Sequence, residues 1–352
     1  MRRFAIVVPF ALCLVLTGAA AAQSMPQLVP IPAGSKPLPT NPSATSFTFV
    51  VAGDNRPPKS HCPQPPQLAD IVHQIATVQP AFVLWDGDVV YGKEAKKAKE
   101  QYPGFLSVVA AAGAPIFVAP GNHELSLKGT VDCPTSKPGK KEKPIDQPDP
   151  SGKLAREYRK AIGSPYGLFR YGNSAFLALN TDDALDSDYS PSACQYNGFV
   201  GKEQDAALEA TLKLLSADDT VAHIFVFMHR PLHGYATKDE LGPDSVKQIA
   251  KLRKLLTLSA GKPWKYPKVS FVFASHEHLF YNYDPTGKLG QSGPFTRTDP
   301  SADGPSYLVT GGAGAPLNSH GGYYHYLTVT VDGAAVTATI HRIDDTSTNC
   351  PD

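Results

Sequence analysis

The sequence of 352 residues has almost no net charge, because 33 Lys and Arg residues are opposed by 32 Asp and Glu residues, and the formal charge is +1. It has no internal repeat, and no apolar stretch of membrane-spanning length follows the first residues. With this charge balance, DNA, RNA or an anionic membrane surface is not expected to be the main partner. With 42% hydrophobic residues, the chain is too apolar to be disordered and long enough to bury a large core.

Cysteine is also scarce, with five residues in the whole sequence. Cys13 belongs to the apolar first segment, and the other four, Cys62, Cys133, Cys194 and Cys350, are far apart and lack CxxC spacing. A zinc knuckle is therefore disfavoured. An even number of cysteines in an oxidising compartment predicts two disulfides, and all three possible pairings remain open.

The first 22 residues have the pattern of a secretory signal peptide. Met1 to Arg3 begin with positive charge, Phe4 to Thr17 are almost wholly apolar, and Gly18 to Ala22 are small, which suits cleavage after Ala22. The mature chain is then expected to be secreted or periplasmic, with no membrane anchor left after cleavage. Residues 23–45 are rich in Pro and Ser and predict an extended linker.

From residue 46 onward, apolar runs typical of buried strands alternate with helical patterns. Strands are predicted at 46–52, 81–85, 115–118, 175–179, 223–228 and 269–273, helices at 66–78, 103–112 and 204–215, and a β-rich ending between 307 and 341. This alternation predicts an α/β domain with parallel strands that are covered on both faces. We assign the domain to residues 46–345 and a tail to 346–352. Residues 127–152, rich in Lys and Pro, are expected to form a surface insertion.

Five of the predicted strands are followed at once by a short polar cluster. The clusters are Gly53-Asp54-Asn55-Arg56, Gly87-Asp88-Val89-Val90-Tyr91, Gly121-Asn122-His123-Glu124, His229-Arg230-Pro231 and Ser275-His276-Glu277-His278. Loops after the carboxyl ends of strands converge in open α/β sheets, so these side chains are expected to meet. Their oxygen and imidazole donors suit Fe, Mn or Zn better than calcium. Two Asp, one Tyr, one Asn and three His of these clusters make seven possible donors. Seven donors are too many for one tetrahedral zinc and fit two ions that share a carboxylate.

In their order and composition, the five clusters resemble those of the calcineurin-type metallophosphoesterases, and in particular of the purple acid phosphatase branch. That branch has a Tyr three residues after its second Asp, as Tyr91 follows Asp88 here. It also has a Val three residues before the His of its fourth motif, as Val226 precedes His229. The resemblance extends over about residues 47–339. It implies a four-layered α/β/β/α sandwich of two mixed sheets, face to face, with helices outside.

The resemblance also implies a role for each side chain. A first metal ion would be bound by Asp54, Tyr91 and His278, a second by Asn122, His229 and His276, and Asp88 would bridge both. His123 would face the substrate and donate a proton to the leaving group. The implied reaction of the domain is acid phosphatase-like hydrolysis of phosphoesters, with phosphomonoesters as the favoured substrates, by a hydroxide that two ions activate.

The sequence departs from the family pattern at Arg56, where most members have a His two residues after the first Asp. A guanidinium cannot bind a metal ion at ordinary pH, so Tyr91 would have to complete the first site. Arg56 would then be free to bind a phosphate oxygen, and the alternative is an ion pair with a neighbouring carboxylate. Because a phenolate favours a hard ion, the expected pair is Fe(III) with Fe, Zn or Mn. If Tyr91 packs in the core instead, the first site is short of a ligand.

Two other functions remain open at this stage. A phosphodiesterase or nucleotidase could use the same metal core, and the segments that would decide, 127–152 and 186–201, do not identify a substrate. A secreted phosphate-binding protein that has lost catalysis is the alternative of another class, with Arg56 as its first sign. The retention of His123 opposes it, because a binding protein does not need a proton donor. In every case, the expected partner is a small phosphorylated molecule.

The clusters have polar neighbours whose roles can also be predicted. Asp86 is expected to form a hydrogen bond behind Asp88, and Glu124 is expected either to orient the histidine before it or to lie at the surface. His276 and His278 are two residues apart, so in an extended segment both rings would point into one site.

Other histidines and a group of lysines lie outside the assigned roles. His233, His320 and His325 are assigned to ordinary surface or core positions, although His233 is near enough to the fourth cluster to touch substrate. Lys93 to Lys99 are expected to form the solvated face of a helix rather than a nucleic-acid surface.

Overall fold

The computed structural model describes residues 24–31, 38, 41, 43–129, 145–183, 200–235, 247–256, 265–283, 294–298, 305–344 and 350. The strands are β1 (Ser46–Ala52), β2 (Val83–Trp85), β3 (Ile116–Val118), β4 (Ser126–Gly129), β5 (Ile145–Pro148), β6 (Gly167–Tyr171), β7 (Ser174–Leu179), β8 (His223–Met228), β9 (Val269–Ala274), β10 (Phe280–Tyr283), β11 (Phe295–Arg297), β12 (Ser306–Thr310), β13 (His325–Asp332) and β14 (Ala335–Arg342). The helices are α1 (Pro66–Val78), α2 (Ala95–Val109), α3 (Asn122–Leu125), α4 (Lys153–Ala161), α5 (Lys202–Ala217) and α6 (Lys247–Leu256).

The first sheet has the strand order β11-β14-β13-β1-β2-β3. Its strands β1, β2 and β3 are parallel, with Val50 opposite Val83 and Val83 opposite Ile116. On its other side β1 pairs with β13 in antiparallel fashion, from Ser46 opposite Asp332 onward. Because parallel strands end at the same edge of a sheet, the loops after β1, β2 and β3 lie side by side.

The second sheet has the strand order β10-β12-β9-β8-β7-β6. Its four central strands, β12, β9, β8 and β7, are parallel, and β10 and β6 are antiparallel additions at the two edges. The loops after β8, β9 and β12 therefore also share one edge.

The two sheets pack face to face through a core rich in phenylalanine. Along β1, Phe49 and Val51 join the core between the sheets, whereas Val50 and Ala52 join the core under the helices. The Phe49 ring lies 5.1 Å from the Phe225 ring of the second sheet. Residues on both faces of such a strand are buried, which explains why the strands read as continuous apolar runs.

Helices cover the outer face of each sheet. Buried residues of α1, α2 and α4 pack against the first sheet, and those of α5 and α6 pack against the second. The predicted four-layered α/β/β/α sandwich of two mixed sheets is therefore confirmed. Within the described part of the chain, no helix is long and apolar enough to cross a membrane.

The helix predicted at 103–112 instead occupies Ala95–Val109, with Pro103 in its interior. Its buried positions, Ala98, Tyr102, Phe105 and Val109, have helical spacing on both sides of the proline. Pro103 itself is exposed, so water can satisfy the carbonyl that loses its N–H partner. The predicted start was therefore wrong, whereas the predicted end at residue 112 agrees with a short 3₁₀ helix, Ala110–Ala112, that follows α2.

One of the two predicted disulfides is present, between Cys62 and Cys350. Cys133 and Cys194 lie outside the described residues, as do the predicted signal peptide and most of the predicted linker. Within the predicted insertion, the described residues at its two ends pair as β4 and β5.

Candidate metal centre

The loops after β1, β2 and β3 bring Asp54, Asp88 and Asn122 to one edge of the first sheet. All three residues are buried, and none exposes more than 4% of its surface. Neighbouring loops bond to each other here, since the Asp54 N–H donates to the Gly87 carbonyl at 3.0 Å and the His123 N–H donates to Asp88 Oδ1 at 3.0 Å. The oxygen donors of the site are thus held by main-chain contacts as well as by burial.

The second sheet supplies three histidines. His229 follows β8 and is fully buried, and its Nε2 lies 3.3 Å from Asp88 Oδ1. His276 and His278 follow β9, with His276 Nδ1 3.1 Å from His229 Nε2 and His278 Nε2 3.5 Å from Asp54 Oδ1. The structure therefore brings six of the seven predicted metal ligands together where the edges of the two sheets meet.

Backbone carbonyls decide which ring nitrogen of two histidines is free. His229 Nδ1 donates to the Asp86 carbonyl at 2.8 Å, and His278 Nδ1 donates to the Pro316 carbonyl at 2.6 Å. A carbonyl oxygen can only accept, so the proton of each neutral ring resides on Nδ1. Each Nε2 then presents a lone pair to the site.

Acceptor atoms consequently face other acceptor atoms. His229 Nε2 lies 2.8 Å from Asn122 Oδ1 and 3.3 Å from Asp88 Oδ1. Asp54 Oδ1, which faces His278 Nε2, receives no hydrogen bond from the described residues. Lone pairs at such distances repel one another unless a cation lies between them. The mixed oxygen and nitrogen donors fit transition-metal ions on either side of Asp88.

Burial favours the neutral form of each histidine. It lowers the pKa of His229 to about 3 and that of His278 to about 4, and it holds the pKa of His276 well below its usual range. Neutral imidazole is the form that binds a metal ion. Burial raises the pKa of both Asp54 and Asp88, and the Asp88 charge adds to the rise at Asp54. Bound cations would reverse that rise and keep both carboxylates ionised.

The backbone is strained at these ligands. Asp54, Asp88, His276 and His278 have φ angles of 60°, 52°, 73° and 51°, in the left-handed region. A non-glycine residue there costs on the order of 1–2 kcal/mol. The expectation that His276 and His278 converge from an extended segment was therefore wrong in its geometry. The two rings meet at the site because both residues adopt the left-handed conformation.

Glycines allow the close approach of backbone to the ligands. A side chain at Gly87, whose φ is 88°, would come within 2.7 Å of the Gly121 amide nitrogen. A methyl group at Gly311, after β12, would collide with the Asp54 carboxylate. Both positions therefore require glycine if Asp54 and Asp88 are to keep their places.

Glu124 anchors the loop that carries Asp88. It is fully buried, and its carboxylate accepts N–H groups from Asp88 at 2.9 Å, Val89 at 3.0 Å, Val90 at 3.2 Å and Gly121 at 2.6 Å. Burial and the Asp88 charge raise the pKa of Glu124 to about 8, while the N–H donors act in the opposite direction. Both sequence interpretations of Glu124 were wrong.

Arg56 and His123 both lie near Asp88 Oδ2, and Tyr91 contacts His123. Arg56 Nε is 3.5 Å from Asp88 Oδ2, and His123 Nε2 is 3.9 Å from the same oxygen. His123 Nδ1 donates to the Tyr91 carbonyl, and the two rings meet edge to face at 5.5 Å. The ion pair foreseen for Arg56 is therefore present, whereas metal binding by the Tyr91 hydroxyl stays a prediction.

An open pocket of about 310 Å³ lies over the centre. Its walls include Arg56, His123 and Asp88, together with Leu317 and Asn318 from the loop after β12. A phosphate group placed in it would meet a guanidinium, an imidazole and the metal ligands at once.

The other polar residues singled out in the sequence have varied positions. Asp86 is fully buried, but its carboxylate has no hydrogen-bond partner among the described residues, so the predicted bond is absent. Its carbonyl, instead, orients His229. His233 stacks on Tyr283 at 3.9 Å, and His325 is buried with its Nδ1 on the Tyr323 carbonyl.

Two buried charged groups near the site were missed. Lys93, expected on a solvated helix face, is 7% exposed, and its ammonium donates to the Asn122 carbonyl at 3.3 Å. Arg230 donates from Nε to both carboxylate oxygens of Asp182 and from Nη1 to His276 Nε2 at 3.2 Å. The position of Arg230 inside the fourth cluster was the only sequence signal of its role.

Comparisons with known proteins agree with this geometry. Residues 47–280 match the calcineurin-like phosphoesterase family. The fold is similar to that of purple acid phosphatase PPD1 from yellow lupin (Lupinus luteus) seeds, at 16% identity and a TM-score of 0.54, over 89% of this chain and 54% of the lupin chain. It is also similar to a dimetal phosphatase from Danio rerio, at 14% identity and a TM-score of 0.50, over 83% of this chain and 98% of that one. No individually curated protein matches the sequence.

The chain thus spans about half the length of the lupin enzyme, and identities this low demonstrate a common fold rather than a common substrate. The match to the family does show membership, because it extends over most of the chain and contains every cluster from Asp54 to His278. The chain therefore belongs to the calcineurin-like phosphoesterase family.

Proposed function

We propose that the chain hydrolyses phosphomonoesters at a centre of two metal ions. The strongest support is that the unprotonated Nε2 atoms of His229 and His278 lie close to the carboxylate oxygens of Asp88 and Asp54 and to the Asn122 side-chain oxygen. The first ion would be held by Asp54, Tyr91 and His278, the second by Asn122, His229 and His276, and both by Asp88. Bound ions would supply Lewis-acid stabilisation of the phosphate oxygens and a more acidic water.

His123 is assigned as the general acid. The Tyr91 carbonyl accepts from its Nδ1, so Nε2 is the nitrogen that faces the pocket and can give a proton to the leaving oxygen. Burial holds the pKa of His123 well below its usual range, with help from Lys93 and Arg56. The negative charge of a phosphate in the pocket would favour the protonated ring. A general acid in this position contributes about 10²–10⁴-fold to the rate.

Arg56 is assigned to the phosphate. Its guanidinium lines the pocket, with Nε 3.5 Å from Asp88 Oδ2 and Nη1 donating to the Pro57 carbonyl at 3.4 Å. A planar guanidinium can donate two parallel hydrogen bonds to phosphate oxygens. The ion pair and the phosphate contact are compatible, because Asp88 would share its charge with the metal ions and leave Arg56 to the substrate.

Metal analysis and substrate comparison test the proposal together. Purified full-length protein should contain close to two transition-metal ions per chain, Fe(III) with Fe, Zn or Mn, and should hydrolyse aryl and alkyl monoesters faster than diesters. Faster turnover of diesters would replace the assignment by a phosphodiesterase. A folded protein without bound metal and without turnover would make it a phosphate-binding protein instead.

We also infer that the enzyme works outside the cytoplasm. The disulfide between Cys62 and Cys350 supports this, because such bonds persist in oxidising compartments. Residues 1–22 would then be the signal peptide, 23–45 a linker, 46–345 the catalytic domain and 346–352 a tail. Mass spectrometry of the mature N-terminus in the native host should find a chain that begins at Gln23.

A further inference from the structure

Two aromatic rings meet beside the pocket, and they come from loops after different strands. Tyr235 belongs to the loop after β8 and is partly buried, and His320 belongs to the loop after β12 and is exposed. Their ring centroids are 6.1 Å apart, and their planes are inclined at 46°. The two rings, called here the ring pair, thus form an open angle.

The Tyr235 main chain is tied to the segment that carries two proposed metal ligands. Glu277, between His276 and His278, is only 4% exposed. Its two carboxylate oxygens accept the Tyr235 N–H at 2.9 and 3.0 Å. A buried carboxylate is costly unless hydrogen bonds satisfy it. The bond from the Tyr235 N–H to Glu277 is therefore expected to be retained, and it restricts the position of the loop after β8.

His320 is tied to the same segment through Asn318. The Asn318 N–H donates to the His278 carbonyl at 3.1 Å, and its side-chain amide donates to the Glu277 carbonyl at 3.0 Å. Asn318 Oδ1 accepts the His320 N–H at 3.0 Å and lies 2.9 Å from His320 Nδ1. Asn318 and Leu317 themselves line the pocket. Both rings of the pair are therefore positioned relative to the metal ligands.

We infer that the ring pair is the subsite for the leaving group and that it favours phosphomonoesters whose leaving group carries a flat aromatic ring. The inference rests on the function proposed above. On this inference, the leaving group of a phosphoester in the pocket extends past Leu317 and Asn318, which line the pocket, to the ring pair. Aromatic faces stack on flat rings with an energy beyond that of area burial, and such a contact is worth up to about tenfold in binding.

Two matched monoesters separate stacking from chemistry. Benzyl phosphate and cyclohexylmethyl phosphate have leaving alcohols of similar size and acidity, and only the first has a flat ring. The metal-loaded wild-type enzyme should prefer benzyl phosphate by about five- to tenfold in kcat/KM. Equal kcat/KM values for the two esters would overturn the inference and leave the proposed function intact, whereas no turnover of either would refute the proposed function itself.

Variants of the ring pair test whether these two residues cause the preference for benzyl phosphate. Tyr235→Ala and His320→Ala should each remove most of it by raising the KM of benzyl phosphate, with little change for cyclohexylmethyl phosphate. Tyr235→Phe, which keeps the ring, should retain it, and His73→Ala, at an exposed histidine of α1, is the matched control. If Tyr235→Ala lowered kcat for both esters equally, the residue would have only a structural role and the inference would fail.

The same assay shows whether the flat ring that binds is a nucleobase or an aryl group close to the phosphate. Adenosine 5′-phosphate and ribose 5-phosphate form a second pair that differs in the base. A preference that depends on Tyr235 in this pair assigns the subsite to a nucleobase, and a preference confined to the benzyl pair assigns it to an aryl group close to the phosphate. Loss of neither preference in the alanine variants would contradict both assignments.

Discussion

The two sheets of the sandwich contribute different chemistry to the site. The proposed oxygen ligands, Asp54, Asp88, Tyr91 and Asn122, all follow strands of the first sheet, and the three imidazole ligands all follow β8 or β9 of the second. Neither half could hold an ion alone, since each proposed ion takes oxygen from one sheet and nitrogen from the other. The centre therefore depends on the packing of the two sheets, and not on either sheet by itself.

The two halves are also held by different means. The oxygen half of the site is formed by the loops after strands of the first sheet. In it, the Glu124 carboxylate accepts hydrogen bonds from the N–H groups of the Asp88 loop. The nitrogen half is formed by the loops after β8 and β9 of the second sheet. In it, backbone carbonyls accept hydrogen bonds from Nδ1 of His229 and His278, which orients both rings and leaves each Nε2 with a lone pair towards the site. The oxygen half is thus arranged through its backbone and the nitrogen half through its side chains.

Hydrogen bonds also cross between the two halves. The Asp86 carbonyl of the first sheet accepts from His229 Nδ1 at 2.8 Å and from Ser275 Oγ at 2.5 Å. In return, the His276 N–H donates to Asp54 Oδ2 at 2.6 Å. Each half therefore orients ligands of the other, and a substitution in one half should also alter the ligand geometry of the other.

The largest effect is expected for Asp88→Asn, because both ions would depend on this carboxylate. Metal content should fall from close to two ions per chain to well below one, and kcat/KM should fall by at least about 10³-fold. Elemental analysis and phosphatase assays measure the two effects, while circular dichroism should show an intact fold. Asp219→Asn, at an exposed aspartate, is the matched control. If the variant still held two ions, Asp88 would not be the shared ligand.

The nitrogen half can be divided by comparing His229→Ala with His278→Ala. Each variant should lose one ion and keep the other, with the affinity for the lost ion reduced by more than the 10- to 100-fold typical of residues behind a ligand. The thermal midpoint should fall further for His229→Ala, since His229 is fully buried and His278 is partly exposed. Titration of the apoprotein with metal ions would check both expectations. Loss of both ions in each variant would mean that the sites do not fill independently.

The contrast between the halves also shows what sequence could predict. Strand β1, helix α1 and strand β8 have the predicted bounds, because apolar runs and a first-turn proline are local signals. The cluster residues could be grouped because parallel strands end at one edge. Burial of Glu124 and Lys93 could not be predicted, since a charged residue looks the same in sequence whether a partner covers it or water does.

A smaller effect is expected for Glu124→Gln, which tests the anchoring of the oxygen half. A glutamine would present an NH₂ group to backbone N–H donors that now bond to a carboxylate oxygen. We expect a loss of about 2–4 kcal/mol of stability and a roughly tenfold weaker metal affinity. Denaturant unfolding and metal titration measure these losses, with Glu100→Gln on the exposed face of α2 as control. Unchanged metal affinity would show that the Asp88 loop does not need this anchor.

The smallest change is Tyr91→Phe, which removes one oxygen and asks whether the oxygen half has a fourth donor. Tyr91 contacts His123 through its carbonyl and its ring, and both contacts should survive the substitution. If the hydroxyl binds Fe(III), the iron-loaded wild type should have a visible tyrosinate band that the variant lacks, while the fold and the second ion are retained. Tyr171→Phe should leave the band unchanged. An iron-loaded wild type without the band would reject Tyr91 as a ligand, and the first ion would then rest on Asp54, Asp88 and His278 alone, which makes it the more weakly held of the two.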